Sequence, residues 1–291
     1  MEKKIIDYIK QHFNFGELID VPSYPVQGLS GYVFFLNFKD KEVVVKYGDS
    51  VENDYKYLKL IHDRKVDIKV PEVYGYFIIE NTQVLLLEKI NGKLFGEVKT
   101  GELPRYFDSI VETLNNLHKL KNRKSNWKTY LLSIFNGDTI NWSMVYEREA
   151  IDSDLLRKSI SWVINEINNL NFKDEDSALL HTDFNNSNLF IDENTFKIIG
   201  VIDWEEATFG DPVYDIARFH MHLWHREAEE NIVDEFFVKA NLDEQQIKNE
   251  KIYFIAFIIH YLAYYSESVD DARAYKIKKH EDFLRELLDK Q

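Results

Sequence analysis

The chain has 291 residues, is 45% hydrophobic and contains no cysteine. That composition can furnish a substantial core, and it excludes disulfides, thiolate metal sites and a cysteine nucleophile, so any metal must be held by oxygen or imidazole. A formal charge of −14 is repelled by nucleic-acid phosphates and anionic membranes, and no apolar run is long enough to span a bilayer; the expected setting is cytoplasmic, with no nucleic-acid or membrane partner.

The opening MEKKIIDYIKQHF is amphipathic and lacks the apolar stretch of a signal peptide. Between Val33 and Lys46 the runs VFFLNF and EVVVKY flank the charged turn Lys39-Asp40-Lys41 and predict a β-hairpin. Gly48-Asp49-Ser50 then supplies a break and a candidate N-cap. Val51, Tyr55, Leu58 and Ile61 follow at helical spacing, for a helix of about three turns. A second strand pair, VYGYFII and QVLLLEKI, surrounds Glu80-Asn81-Thr82. Beyond Asn91-Gly92 the pattern becomes helical, with Ile110, Leu114 and Leu117, then Leu155, Ile160, Val163 and Ile167 in helical phase. Two short apolar runs around Asp192-Glu193-Asn194, NLFI and KIIGVI, interrupt it, and helical patterns resume from Pro212. The expected fold is α+β with two lobes: residues 1–89 form an antiparallel sheet with one helix, and residues 90–291 a larger, mainly helical part. No repeat or linker separates them, so the lobes are expected to pack together.

Chemistry concentrates in His181-Thr182-Asp183-Phe184-Asn185-Asn186-Ser187-Asn188, where an aspartate precedes an asparagine by five positions just before a strand. The carboxylate of Asp183 can take a proton from an attacking hydroxyl, and the amide oxygen of Asn188 is a hard ligand suited to magnesium. A return hairpin ends at Asp203 in GVIDWEEA, which brings a second oxygen ligand back to the loop. Each piece alone is common turn chemistry. The joint pattern is what points to a site. His220, His222, His225 and Glu227 also invite a metal reading, but Phe219, Leu223 and Trp224 beside them favour a helix wall with polar tips.

HTDFNNSNLF, VIDWEEATFGDPVYDIARF and the upstream VVVKYG resemble the aminoglycoside phosphotransferase and choline kinase superfamily, small-molecule relatives of protein kinases, over roughly Gly28 to His220. The resemblance implies a protein-kinase-like fold and an ATP-dependent (or GTP-dependent) phosphotransferase. It further implies Asp183 as catalytic base, Asn188 and Asp203 as Mg²⁺ ligands, and Lys46 as the strand lysine on the nucleotide's α- and β-phosphates. Gly28-Leu29-Ser30-Gly31 resembles the loop over the nucleotide, with Ser30 on phosphate, and Leu87-Glu88-Lys89-Ile90 resembles the interlobe hinge, with Glu88 and Ile90 offering main-chain groups to adenine. Asp215 resembles the buried carboxylate that ties down the catalytic loop. The sequence departs from the family at the lysine's usual glutamate partner, where Asp54 aligns and Glu52 stands two positions earlier, and at Thr182, where many relatives have glycine.

Asp203 and Asp211 are only eight positions apart, too close for a protein kinase's activation segment, so a small hydroxyl acceptor is expected. Residues 1–89 carry 12 Lys and Arg against 14 Asp and Glu, leaving 24 against 36 for the rest. That excess favours a cationic acceptor of the aminoglycoside-antibiotic type, with Glu227, Glu229, Glu230, Glu267, Asp270 and Asp271 as candidate carboxylates. The alternatives are a metabolite kinase for choline, homoserine or methylthioribose, and a nucleotide-binding pseudokinase; retention of Lys46, Asp183, Asn188 and Asp203 together opposes the last.

Overall fold

Alternating burial builds the first sheet. A computed structural model describes residues 1–25 and 31–290. In chain order its elements are α1 (Glu2–His12), β1 (Tyr32–Asn37), β2 (Glu42–Tyr47), α2 (Val51–Asp63), β3 (Val73–Ile79), β4 (Thr82–Glu88), β5 (Lys93–Leu94), α3 (Phe107–Leu117), α4 (Trp127–Phe135), α5 (Trp142–Tyr146), α6 (Ser153–Asn168), β6 (Ala178–Leu180), β7 (Leu189–Asp192), β8 (Lys197–Val201), β9 (Thr208–Gly210), α7 (Val213–His225), α8 (Glu230–Ala240), α9 (Glu244–Tyr265) and α10 (Asp271–Asp289), with 3₁₀ turns at 95–97, 100–106 and 174–176. None of the helices in the described residues is long and apolar enough to cross a membrane.

The chain divides into two compact units, Met1–Lys119 with His181–Thr208, and Leu120–Leu180 with Phe209–Gln291. Residue 89, the expected boundary, lies inside the first unit, which also takes in the loop and hairpin of residues 181–208. That sheet is antiparallel, in the order β1-β2-β4-β3. Phe34 and Leu36 of β1 face Val45 and Val43 of β2, and these four side chains are fully buried. On the same face lie Val84 and Leu86 of β4, covered by Ile5 and Ile9 of α1. The amphipathic start is therefore a helix packed on this sheet, beyond the one expected within residues 1–89. Helix α2 packs on β3 and β4, which explains why the central strand buries Val84, Leu85, Leu86 and Leu87 in succession. The β3–β4 turn places Glu80 at φ +47° and Asn81 at φ +65°, the left-handed pair that suits the twist of a two-residue hairpin. A smaller sheet, β5-β7-β8, carries the hairpin that leads to Asp203, and Gly200 in β8 lets Ile90 lie against the strand: an added Cβ would meet Ile90 Cδ1 at 2.4 Å.

The second unit is organised around α9. Its helix starts on an Asp243/Gln246 capping box and buries every residue from Ile252 to Ile259. Trp127 of α4 is fully buried, and its indole donates to Tyr253 (3.0 Å). The Tyr253 hydroxyl donates in turn to Asp211 Oδ2 (2.8 Å), which also accepts from Asn249 (2.9 Å), while Asp211 Oδ1 accepts from the Val213 N–H at the start of α7 (3.1 Å). Asp211 thus joins α7 to α9. Gly210 beside it is required by packing, since a Cβ there would lie 2.2 Å from the Trp127 ring.

Candidate active site

Lys46, in register with Val33 and Leu85, sends its ammonium to Asp54 and to Asp203 Oδ1, the latter at 2.8 Å. Burial alone would lower this group's pKa, but the two carboxylates outweigh it and raise it above the ordinary lysine range, so Lys46 stays charged. Of the two candidate partners in α2, the structure selects Asp54. It is 1% exposed, and its second oxygen accepts from the Trp204 N–H (2.6 Å). Glu52 instead receives the Gln83 amide (3.3 Å). The neighbouring Asn53 donates to the carbonyl of Glu205, so the first turn of α2 holds the segment after Asp203 at two points.

The loop before β7 is tied from inside. His181, fully buried, accepts the Asp183 N–H at Nδ1 (3.3 Å), which leaves Nε2 to donate to Ile202 O (2.9 Å). Thr182 sits at φ +66°, the left-handed region that favours the glycine of many relatives, and its hydroxyl donates to Glu206 O (3.0 Å). The two carboxylate oxygens of Asp183 accept from Asn185 (2.7 Å) and Asn188 (2.8 Å). With its amide nitrogen committed to Asp183, Asn188 has its amide oxygen available on the other side. The Ile202 N–H donates to Asn188 O (3.0 Å), which sets Asn188 beside the strand end that carries Asp203.

Lys46, Asp183, Asn188 and Asp203 therefore all lie in the first unit, linked by the bonds just described. Asp54, Asp203 and Glu205 offer carboxylate oxygens within 4.8 Å of one another. Asp54 is engaged by both Lys46 and the Trp204 N–H; the Asp203 and Glu205 carboxylates and the Asn188 amide are all hard oxygen donors of the kind that suits Mg²⁺. Glu205 was not singled out from sequence; its two-residue spacing from Asp203 in DWE was the available signal. At the expected hinge, the Glu88 N–H is bonded to Glu72 O (2.9 Å), whereas among the described residues neither main-chain group of Ile90 has a hydrogen-bond partner. Ser30 lies outside the described residues.

The second unit's polar groups are engaged otherwise. His220 pairs with Glu250 (2.8 Å) and stacks on Phe254, and His225 meets His280 at 3.1 Å. Among the described residues these histidines form no metal-binding group. Asp270 caps α10, accepting the Arg273 N–H (2.8 Å), and Glu227 accepts the Tyr275 hydroxyl (2.6 Å). Asp270 and Glu227, two of the carboxylates expected near a cationic acceptor, thus make bonds within their own unit.

Burial pushes His222 down to about 3, His225 to about 2 and His280 to about 4, with neighbouring cations adding to the effect. All three fold neutral, whereas an unfolded histidine takes up a proton below about 6.5. Their contribution is therefore complete above that value and is lost as the pH falls toward the folded values. Each proton taken up on unfolding contributes a slope of about 1.4 kcal/mol per pH unit. Urea unfolding at pH 7, 6 and 5 should show midpoints that fall steeply below pH 6.5, and His280→Phe should flatten the curve; a flat profile in the unaltered chain would contradict neutral burial.

An antiparallel sheet with a buried lysine, followed by an Asp/Asn loop and a hairpin ending in aspartate, defines a kinase-like phosphotransferase. The chain belongs to the phosphotransferase enzyme family APH, whose family model matches residues 25–248. Aminoglycoside phosphotransferase APH(4)-Ia shares the fold at a TM-score of 0.74, with 15% identity over 98% of both chains. Its ternary complex with AMP-PNP and hygromycin B gives 0.73, at 17% identity over 96% of both. Among curated sequences, acyl-CoA dehydrogenase family member 11 of Rattus norvegicus is 25% identical over 243 residues, covering 75% of this chain, and that of Pongo abelii 24% over 213 residues, covering 70%. The chain spans only 31% and 27% of the length of those two proteins. Hygromycin-B 4-O-kinase of Escherichia coli is 30% identical over 183 residues, 56% of this chain and 51% of that protein.

Proposed function

We propose that this protein transfers the γ-phosphate of ATP to a hydroxyl of a small molecule, with residues 1–89 as a nucleotide-binding lobe and residues 90–291 carrying the catalytic loop and the acceptor site. The observation that carries the reading is the linked set of Lys46, Asp183, Asn188 and Asp203. Lys46 supplies positive charge for the α- and β-phosphates, main-chain groups at Glu88 and Ile90 serve adenine, and Ser30, outside the described residues, is assigned to phosphate by the family resemblance alone. Asp203 and Asn188, joined by Glu205, hold Mg²⁺. When bound, the metal neutralises charge on the β- and γ-oxygens. The Asp183 carboxylate takes the acceptor's hydroxyl proton as the new oxygen–phosphorus bond forms and the bond to the β-phosphate bridging oxygen breaks, releasing ADP.

For the acceptor we favour an aminoglycoside-type antibiotic, supported by the hygromycin B complexes of structurally similar enzymes and by the acidic excess of residues 90–291. A metabolite kinase is the second reading, favoured by the acyl-CoA dehydrogenase family member 11 matches and by the engagement of Asp270 and Glu227 within their own unit. Incubation of the purified chain with Mg·ATP and hygromycin B, other aminoglycosides, choline, homoserine and methylthioribose, with product detection by mass spectrometry, separates them. Phosphorylation of an aminoglycoside with a KM that rises with salt supports the cationic acceptor; transfer to a neutral or anionic compound alone supports the metabolite reading. No transfer to any compound by protein that binds Mg·ATP would leave a pseudokinase.

A further inference from the structure

The Asp183 carboxylate is held by two amides, and only one of them belongs to an expected metal ligand. Asn188 donates to Oδ2 and Asn185 to Oδ1, at 2.8 and 2.7 Å. The Asn185 side chain is itself fixed, because its oxygen accepts the Ser187 N–H at 2.8 Å in an Asx turn. The direction of that amide is thereby set: with the oxygen turned to a backbone donor, the nitrogen must face Asp183. A carboxylate bonded at both oxygens cannot rotate about its terminal torsion without breaking a charge-assisted bond. The plane of the carboxylate is then set by the loop, which is what a base that must meet a hydroxyl proton requires.

We infer that Asn185 is a positioning residue: it fixes the plane of the Asp183 carboxylate so that an acceptor hydroxyl meets a lone pair in line with the phosphoryl group. This rests on the reading of Asp183 as base. It assigns Asn185 two separable duties, an oxygen that holds the loop turn and a nitrogen that orients the base. Asn185→Asp keeps the first and removes the second, since either oxygen of an ionised carboxylate can accept the Ser187 N–H but neither can donate to Asp183; because it also sets like charge beside the base, loss of orientation is read only from a kcat loss that Asn185→Ala, which adds no charge, shares. Asn185→Ala removes both.

The test compares the two variants with the unaltered chain and with Asp183→Asn, measuring phosphate release from Mg·ATP to water and transfer to hygromycin B, together with nucleotide KM and thermal midpoint. Asn185→Asp should lower kcat by about 10²-fold, the scale of a misplaced catalytic group, with nucleotide KM within about twofold of the unaltered value and a thermal midpoint close to it. Asn185→Ala should lose kcat to a similar extent and melt earlier as well. If Asn185→Asp turns over within about threefold of the unaltered chain while Asp183→Asn is inactive, Asn185 only shapes the loop and the inference falls. Turnover retained by Asp183→Asn would instead remove the base assignment itself.

Discussion

Asp183→Asn should lower kcat by about 10²- to 10⁴-fold, the range that a positioned general base contributes, with the affinity for Mg·ATP nearly unchanged. The Asp183 carboxylate accepts from Asn185 and Asn188, while the nucleotide is assigned to Lys46, Asp203 and the hinge. An amide at 183 has one acceptor oxygen where the carboxylate has two, so only one of the two asparagine donors can be satisfied without rearrangement. Some loosening of the loop is therefore expected beside the loss of the base. A thermal melt and a nucleotide titration separate the effects: a folded variant that binds Mg·ATP normally and fails to transfer is the result expected. Turnover within about tenfold of the unaltered enzyme, below the contribution of a general base, would falsify the assignment.

Why those residues were visible in the sequence, and others were not, follows from the range of the interactions. Alternating side chains wrote out the hairpins, and the spacing of Asp183, Asn188 and Asp203 around one return hairpin announced their convergence, because both are local patterns. The partner of Lys46 stayed open between Asp54 and Glu52, although helical phase contains the answer. Val51, Asp54, Leu58 and Ile61 fall at i, i+3, i+7 and i+10, all are buried, and Glu52 points elsewhere. Asp54 is thus a charged residue on the apolar face of α2, and such a position demands a partner.

Gly210 and Asp211 could not be read in this way. Both appeared within the family motif, but their physical reasons are Trp127, 83 positions earlier, and Tyr253, 42 later. Contacts at that separation leave no periodic trace. The same limit applies to α1, whose amphipathic pattern was plain while the sheet face it covers was not. Nor did composition reveal the division of the chain, because the segment 181–208 folds with residues distant from it in sequence.

Asp203→Ala should fail earlier in the cycle than Asp183→Asn. Asp203 offers a carboxylate oxygen at the candidate metal position and also accepts from Lys46. Removing it leaves Asn188 and Glu205 to hold the cation. Groups that merely orient metal ligands contribute about 10- to 100-fold to metal affinity, and loss of a direct ligand should weaken Mg·ATP binding by at least that much. Lys46 keeps Asp54, so it remains charged and available to phosphate. Affinity for ATP measured in excess chelator should therefore change little, and the defect should appear only when metal is present. The backbone complicates a simple alanine: Asp203 sits at φ +69°, a region aspartate and asparagine tolerate better than alanine, which pays about 1–2 kcal/mol there. Asp203→Asn is the cleaner variant, because it keeps the backbone preference and removes the charge. Calorimetry on both should show weakened Mg·ATP binding with metal-free ATP binding preserved, and only Asp203→Ala should also lower the thermal midpoint. Unaltered affinity for Mg·ATP in the two variants would show that Asp203 serves Lys46 alone and holds no metal.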